Sequence, residues 1–232
     1  MIGIPLAKPL ICRLSSRLLL GSLVTMLCAM AFAEQRDVWI GTDSHPSSKG
    51  IYHATFNTDK GKLSASRLVA QMDGPGFLAL HPRAQVLYAV GALGGKDVVA
   101  AYALTMLDGK PGLTLLNALP IGDGGAAHLA LDPTGTMLLT AQYGGGSVAA
   151  FSLHANGALK ARTALVKHAG GAKVVPGRQD KPHAHWAGFS PDNRFAFACD
   201  LGIDQVLGYR LDAASAKLTP NRQPFVRLPP GA

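Results

Sequence analysis

Short apolar runs separated by glycine-, proline- and aspartate-containing turns follow one another from Asp37 to the end of the chain. Runs of this kind, rich in β-branched and aromatic residues and bounded by turn residues, are typical of β-strands. Charged residues are infrequent and glycine is abundant, which also favours sheets over helices. The pattern therefore predicts an all-β fold.

One pattern occurs three times: an apolar run, a turn containing proline, and a second apolar run. The prolines are Pro82, Pro133 and Pro191, spaced 51 and 58 residues apart. Spacing in this range indicates a repeat architecture. Each repeat contains four predicted strands joined by short turns, which is the construction of a β-propeller blade. The predicted strands are 77–80, 86–90, 98–104 and 113–119; then 128–131, 137–141, 147–153 and 159–166; then 186–189, 195–199, 205–211 and 218–226.

Three further strands precede the first repeat, at 37–42, 51–56 and 63–70, and they correspond to the second, third and fourth strands of the later repeats. The chain therefore contains about three full blades plus three strands. Closed propellers usually have four to eight blades. We accordingly interpret residues 34–232 as the N-terminal portion of a propeller domain whose C-terminal blades are missing.

The first 33 residues have the layout of a secretory signal peptide. Basic residues precede an apolar segment at 18–30, and Ala31-Phe32-Ala33 supplies the small-x-small pattern of a cleavage site. The apolar segment is shorter than the roughly 20 residues of a membrane span. We therefore expect cleavage before Glu34, a periplasmic or secreted protein, and no membrane association afterwards.

The chain has 22 basic and 14 acidic residues and a net charge of +8 at pH 7. The basic residues are scattered, without the clusters and interleaved aromatic residues of a nucleic-acid surface, so we expect no nucleic-acid partner. The charge is compatible with an anionic small molecule but does not require one. Beyond the leader Cys199 is the one cysteine, so no internal disulfide can form, and its apolar run predicts a small buried side chain.

Polar chemistry is concentrated at His183-Ala184-His185. In an extended segment, side chains two residues apart face the same side. One imidazole could act as a general base and the other could contact the substrate. Alternatively, the pair could begin a metal site, although a third ligand at diagnostic spacing is missing. In the structural alternative, one histidine caps a strand and the other bonds to a neighbouring blade.

Three more residues could have either a functional or a structural role. Arg178 lies in the long irregular segment 168–182 and could bind an anion or stabilise an oxyanion, or could be a solvated loop residue. His128 starts the innermost predicted strand of its repeat, where it could reach a pocket shared with His185 or be structural. Asp200 could orient a histidine, accept a sugar hydroxyl, or simply end a strand.

The sequence does not support a phosphate-binding loop or a serine hydrolase. Gly144-Gly145-Gly146 lacks the strand–loop–helix context of a phosphate-binding loop and is predicted to be a hairpin turn. No Gly-x-Ser-x-Gly sequence occurs in the chain, so a serine-hydrolase mechanism has no support.

The chain resembles the lactonase family of seven-bladed β-propellers, of the 6-phosphogluconolactonase type and related to a carboxymuconate cyclase. The resemblance covers the whole chain after the leader, although Gly91-Ala92 stand where many members have Asn-Glu. The stretches that carry it include Ile40-Gly41-Thr42, Phe77 to Pro82, His128 to Gly135, Tyr143 to Val148, Arg178-Gln179, Pro182 to His185, Phe189 to Asp192, Asp200-Leu201-Gly202 and Leu228 to Gly231.

The resemblance implies hydrolysis of a sugar lactone by a histidine-activated water with arginine stabilisation. It implies His185, Arg178 and His128 as catalytic residues and His183, Gln179 and Asp200 as substrate-binding residues, with no metal and no cofactor. The expected partner is a small-molecule lactone. Two alternatives stay open: a non-catalytic propeller that binds a ligand or partner, and a muconate-type cyclase that forms the lactone.

Overall fold

The computed structural model describes residues 34–232 and contains four antiparallel sheets of four strands each. The predicted all-β fold of four-stranded blades is confirmed. The predicted signal peptide, residues 1–33, lies outside the described residues. Within residues 34–232, no helix is long and apolar enough to cross a membrane.

The first sheet differs from the predicted three strands. It comprises β1 (Gln35–Ile40), β2 (Gly50–Asn57), β3 (Lys62–Leu63) and β4 (Arg67–Gln71). β1 pairs with one side of β2, while β3 and β4 both pair with the other side. The predicted single strand 63–70 is therefore wrong. It is interrupted because the Ser64 hydroxyl, and not a backbone carbonyl, accepts the Thr55 N–H at 3.0 Å.

The other three sheets are regular meanders in which each strand pairs with the next one along the chain. All twelve predicted strands fall within or overlap them. The second blade contains β5 (Asp73–Leu80), β6 (Val86–Leu93), β7 (Lys96–Leu107) and β8 (Lys110–Pro120); the third contains β9 (Ala126–Leu131), β10 (Met137–Gln142), β11 (Ser147–Leu153) and β12 (Leu159–Lys167); the fourth contains β13 (Ala184–Phe189), β14 (Phe195–Asp200), β15 (Gln205–Asp212) and β16 (Lys217–Arg227).

The hydrophobic core is a series of layers between adjacent blades. Alternate residues of a strand face opposite sides of its sheet, so β10 contributes to two layers: Leu138 packs toward the second blade, and Leu139 packs toward the fourth. A third layer, around Ile51 and Leu87, joins the first blade to the second. The first strands lie innermost, where β9 contacts both β5 and β13.

The blades have two different ends. At one end, which we call the turn end, the segments 81–85, 132–136 and 190–194 connect the first and second strands of the three regular blades. Each turn bonds to the next: His81 Nε2–H donates to the Gly135 carbonyl at 2.9 Å, and Asn193 Nδ2 donates to Asp132 Oδ2 at 2.9 Å. The opposite end, the site end, holds the starts of β5, β9 and β13.

Candidate active site

The site end of the fourth blade carries a 16-residue insert, residues 168–183, between β12 and β13. The insert packs against the turn that follows β14. Ala172 N–H donates to the Gly202 carbonyl at 2.8 Å. A side chain at Gly202 would come within 2.8 Å of His183 N and closer still to the Lys181 carbonyl oxygen. Because position 202 has no Cβ, the last residues of the insert can lie flat on this turn.

Asp200, at the end of β14, bonds to both ends of the insert. Its Oδ1 accepts the N–H groups of His183 at 2.7 Å and Gly202 at 2.9 Å. Its Oδ2 accepts Nδ1–H of His168 at 2.6 Å, and this carboxylate is fully buried. These contacts match the alternative in which Asp200 orients a histidine.

His168 is a buried polar residue that the sequence did not single out. Its imidazole side chain is 1% exposed, and its Nε2 lies 2.8 Å from the Tyr209 hydroxyl. Burial, helped by the negative charge of Asp200, raises the pKa of Tyr209, so the phenol keeps its proton at neutral pH. His168 lies just outside the repeated strands, where no motif marks it.

Gln179 is buried, and its amide is fully used in hydrogen bonds within the protein. Nε2 donates to the Leu201 carbonyl at 2.8 Å and to Asp204 Oδ1 at 2.6 Å, and Oε1 accepts the Val175 N–H at 3.1 Å. The neighbouring Arg178 is exposed, and its guanidinium makes no hydrogen bond or ion pair to any residue in the described range. Gln179 therefore fixes the backbone from which Arg178 extends.

A cavity of about 350 Å³ lies between the insert, β13 and the end of β14. It brings together three of the six predicted site residues and leaves the other three outside its lining. A larger cavity of about 490 Å³ beside the β1–β2 loop contains none of the six. The 350 Å³ cavity is lined by Arg178, His185, Cys199, Asp200, Leu201, Leu228 and Ala232, whereas His128, His183 and Gln179 do not line it.

The two histidines of the His-x-His pair have different environments. His183 is buried, stacks on Tyr143 with ring centroids 4.4 Å apart, and bonds through Nδ1 to the Tyr143 carbonyl at 2.8 Å. A carbonyl can only accept, so Nδ1 carries the proton and Nε2 is left as an acceptor. This contact with the preceding blade matches the structural alternative. His185 is exposed, meets Tyr143 edge-on at 6.0 Å, and makes no side-chain hydrogen bond within residues 34–232.

His128 lies between two aromatic rings, with centroids 4.1 Å from Phe77 and 5.8 Å from Trp186. Burial and the nearby His185 lower the pKa of His128 to about 4, against a smaller opposing effect of the Ala187 backbone. The imidazole is therefore neutral at pH 7. Its buried Nδ1 has no hydrogen-bond partner among the described residues. A neutral ring of low basicity can bond to a ligand but accepts a proton poorly.

The described part of the chain holds no group of three or more histidine, cysteine, aspartate or glutamate residues arranged to hold a metal ion. Two charged or titratable side chains of the cavity, the His185 imidazole and the Arg178 guanidinium, make no hydrogen bond to any other described residue. Such a pair can move a proton and stabilise a negative charge.

Four-stranded sheets that pack face to face, with their first strands innermost, define a β-propeller. The chain belongs to the lactonase family of seven-bladed β-propellers, whose sequence profile matches residues 37–232.

Relatives and solved structures agree with this assignment. The chain is 34% identical over 173 residues to the 6-phosphogluconolactonase of Bacillus subtilis, which covers 75% of this chain and 48% of the relative. It is similar to the structure of the periplasmic gluconolactonase of Pseudomonas aeruginosa, with 28% identity, a TM-score of 0.77, and coverage of 85% of this chain and 56% of that one. A putative 6-phosphogluconolactonase from Bacteroides fragilis gives 26% identity, a TM-score of 0.76 and the same coverage. The chain spans about half the length of the curated relatives it matches.

Proposed function

We propose that the protein hydrolyses a sugar lactone by direct attack of water, with His185 as the general base and Arg178 as the group that stabilises the oxyanion. The observation that carries the proposal is one cavity lined by both an exposed imidazole and an exposed guanidinium, neither of which makes a hydrogen bond to another described residue. The similarity to 6-phosphogluconolactonases and to a gluconolactonase supports the choice of a lactone.

The chemistry needs two proton transfers and one charge to be stabilised. His185 takes a proton from water as its oxygen attacks the lactone carbonyl, and the carbonyl oxygen becomes negative. Arg178 donates N–H groups to that oxygen, for which a planar guanidinium is well suited. The carbonyl then reforms, the ring oxygen leaves, and the imidazolium of His185 returns the proton to it. The product is the open hydroxy acid.

The remaining predicted residues take supporting parts in this proposal. His128, which lies outside the cavity lining and is held neutral, keeps a second positive charge away from His185. His183, also outside the cavity lining, is bonded to the Tyr143 carbonyl and so fixes the backbone two residues before His185. Gln179 and Asp200 use their polar atoms internally, so they support substrate binding by fixing the segments that carry Arg178 and His185.

We also propose that the protein is exported, because of the sequence of residues 1–33. A similar structure is that of a periplasmic gluconolactonase. N-terminal sequencing of the protein recovered from the periplasm or medium should begin at or near Glu34. Recovery of material that begins at Met1 would contradict export with cleavage.

The activity is tested with the full-length protein on gluconolactone and on 6-phosphogluconolactone. Acid release is followed above the spontaneous opening of each lactone, which must be subtracted because sugar lactones open quickly in water. We expect saturable hydrolysis of at least one of the two. Binding of both without turnover would favour a ligand-binding propeller, and neither binding nor turnover would refute the proposed substrate class.

A further inference from the structure

Asp200 hydrogen-bonds through its side chain to both the first and the last residue of the insert. His168 begins the insert and His183 ends it, and one carboxylate accepts a hydrogen bond from each: from Nδ1–H of His168 at 2.6 Å and from the backbone N–H of His183 at 2.7 Å. The two ends of the insert are thereby held together by hydrogen bonds to one buried carboxylate.

The hydrogen bonds continue beyond the carboxylate. His168 is held from its other side by the Tyr209 hydroxyl, 2.8 Å from Nε2, and its backbone N–H donates to the Gly146 carbonyl at 2.9 Å. The phenol stays protonated at neutral pH, so its O–H donates to Nε2 while Nδ1–H points at Asp200. Both ring nitrogens of His168 therefore have a hydrogen-bond partner, Asp200 at Nδ1 and Tyr209 at Nε2.

We propose that His168, Asp200 and Tyr209 form a buried positioning network that closes the base of the insert and so sets the geometry of Arg178 and His185 across the cavity. The network bonds to the backbone N–H of His183, two residues before His185, and includes His168 at the start of the insert that carries Arg178, but it bonds to neither reacting side chain. Its members are positioning residues, and their kinetic effect rests on the proposed function.

Burial makes this network sensitive to substitution. The side chains of His168 and Asp200 are 1% and 0% exposed, so water cannot replace a lost partner. A buried group left without its hydrogen bond destabilises its surroundings locally. Here the surroundings are the two ends of a loop without regular secondary structure, so the loop should loosen before the blades do.

The experiment compares variants of the network with matched variants elsewhere in the full-length protein. His168→Ala removes both side-chain bonds, and Tyr209→Phe removes one hydroxyl. Tyr88→Phe is the control for the second, because Tyr88 is also buried and its hydroxyl donates to Gly157 at the turn end. Asn117→Ala is the control for the first, because its amide makes two bonds to Leu159 between the second and third blades.

The first readout does not depend on activity. Trypsin can cleave after Lys173 and Arg178, both exposed in the insert. We expect His168→Ala to raise the initial rate of cleavage at these two sites about tenfold or more, because local opening of the insert becomes easier. Asn117→Ala and Tyr88→Phe should leave that rate within twofold of the parent at a temperature where all the proteins are folded.

The second readout is kinetic. His168→Ala should lower kcat about 10- to 100-fold with a smaller change in KM, since misplacement of reacting groups by about 1 Å can have an effect of this size. His168→Asn, whose Nδ2 can replace Nδ1–H toward Asp200, should recover most of both readouts, and Tyr209→Phe should fall between it and the parent.

The outcomes separate this network from the proposed reaction. If the parent hydrolyses no lactone, the reaction fails while faster cleavage of the insert in His168→Ala still supports the network. If cleavage of the insert is equally slow in His168→Ala and Asn117→Ala, or if His168→Asn is no better than His168→Ala, the network does not position the insert and the inference is overturned.

Discussion

Histidines occur at both ends of the blades, but His81 at the turn end differs from His128 and His185 at the site end in whether every ring nitrogen has a hydrogen-bond partner. At the turn end, His81 Nδ1 accepts the N–H groups of Arg83 at 3.0 Å and Ala84 at 2.8 Å, while its Nε2–H donates to the next blade. At the site end, the His185 imidazole has no hydrogen-bond partner in the described chain, and the buried Nδ1 of His128 has none either.

This difference distinguishes structural from functional histidines better than sequence position does. Buried polar groups in folded proteins are nearly always hydrogen-bonded, so an unpartnered one needs an explanation. At the turn end every nitrogen of His81 is used to connect blades. At the site end the unused nitrogens belong to His185, which lines the cavity, and to His128, which does not. We therefore propose that the turn end stabilises the fold and that the site end supplies the groups for chemistry.

The largest effect should come from Arg178. Replacing it with alanine removes the proposed oxyanion donor, and kcat should fall about 10²- to 10³-fold while the free energy of unfolding stays close to that of the parent. Arg83→Ala is the matched control, an exposed arginine at the turn end, and it should leave kcat unchanged. Equal kcat values for the two variants would remove Arg178 from the mechanism.

The next largest effect should be on stability, at the turn end. Asp132 is buried and accepts hydrogen bonds from Met137 N–H at 2.8 Å, Thr136 N–H at 2.8 Å and Asn193. Burial opposes its ionisation, but these bonds, together with one from Thr134, outweigh burial and hold its pKa below the usual value. Asp132→Ala should lower the free energy of unfolding by about 2–4 kcal/mol, measured by urea titration at pH 7.

Asp132→Ala should leave KM unchanged, because its contacts lie away from the cavity. Asp192→Ala, an exposed carboxylate in the equivalent turn of the next blade, should be far less destabilising. A stable Asp132→Ala variant with impaired substrate binding would reverse the assignment of the two ends.

A smaller loss of stability is expected at His81. His81→Ala removes the bond to Gly135 and the acceptor for two backbone N–H groups, which should lower the free energy of unfolding by about 1–2 kcal/mol. The lactonase activity should be retained. His154→Ala, at an exposed histidine in the same region, should unfold at the same urea concentration as the parent. An inactive but fully stable His81→Ala would contradict a purely structural role.

A further effect, absent at pH 7, concerns the pH dependence of stability at His128. Its pKa is lowered from 6.5 to about 4 in the folded protein, mainly by burial, so the folded state binds fewer protons than the unfolded state. Stability from this residue is fully present above pH 6.5 and is lost as the pH falls through about 4. His128→Gln does not titrate, so its stability relative to the parent should rise between pH 7 and pH 4. Parallel stability curves in urea titrations would show that His128 is not buried in this way.

The short turns between paired strands could be predicted from the sequence because turn-forming residues act locally. The prolines at 82, 133 and 191 sit in turns between paired strands, and Gly144-Gly145-Gly146 forms the predicted hairpin. The interruption of the third strand at Ser64 was missed, since it depends on one serine hydroxyl replacing a backbone acceptor. The hydrophobic periodicity of the sequence does not indicate where a side-chain hydroxyl takes the place of a backbone acceptor.

The site end was only partly predictable. Arg178 and His185 were identified and do line one cavity, but the buried network behind them was missed. His168 meets Asp200 and Tyr209, which follow it by 32 and 41 residues, and pairs this far apart leave no spacing pattern in a single sequence. The sequence predicted a substrate-binding role for Asp200. It could not show that this side chain is buried, and burial determines what it can contact.

The most direct test of the distinction between the two ends is the kcat of two histidine variants in the full-length protein, measured side by side. His185 and His154 are both exposed, and they lie at opposite ends of the blades. His185→Ala should lower kcat for lactone hydrolysis by about 10²-fold or more, because a general base typically contributes 10²–10⁴-fold, while His154→Ala should stay within twofold of the parent. If His185→Ala also stays within a few-fold of the parent, His185 is not the base, and an unpartnered histidine at the site end does not indicate catalysis in this protein.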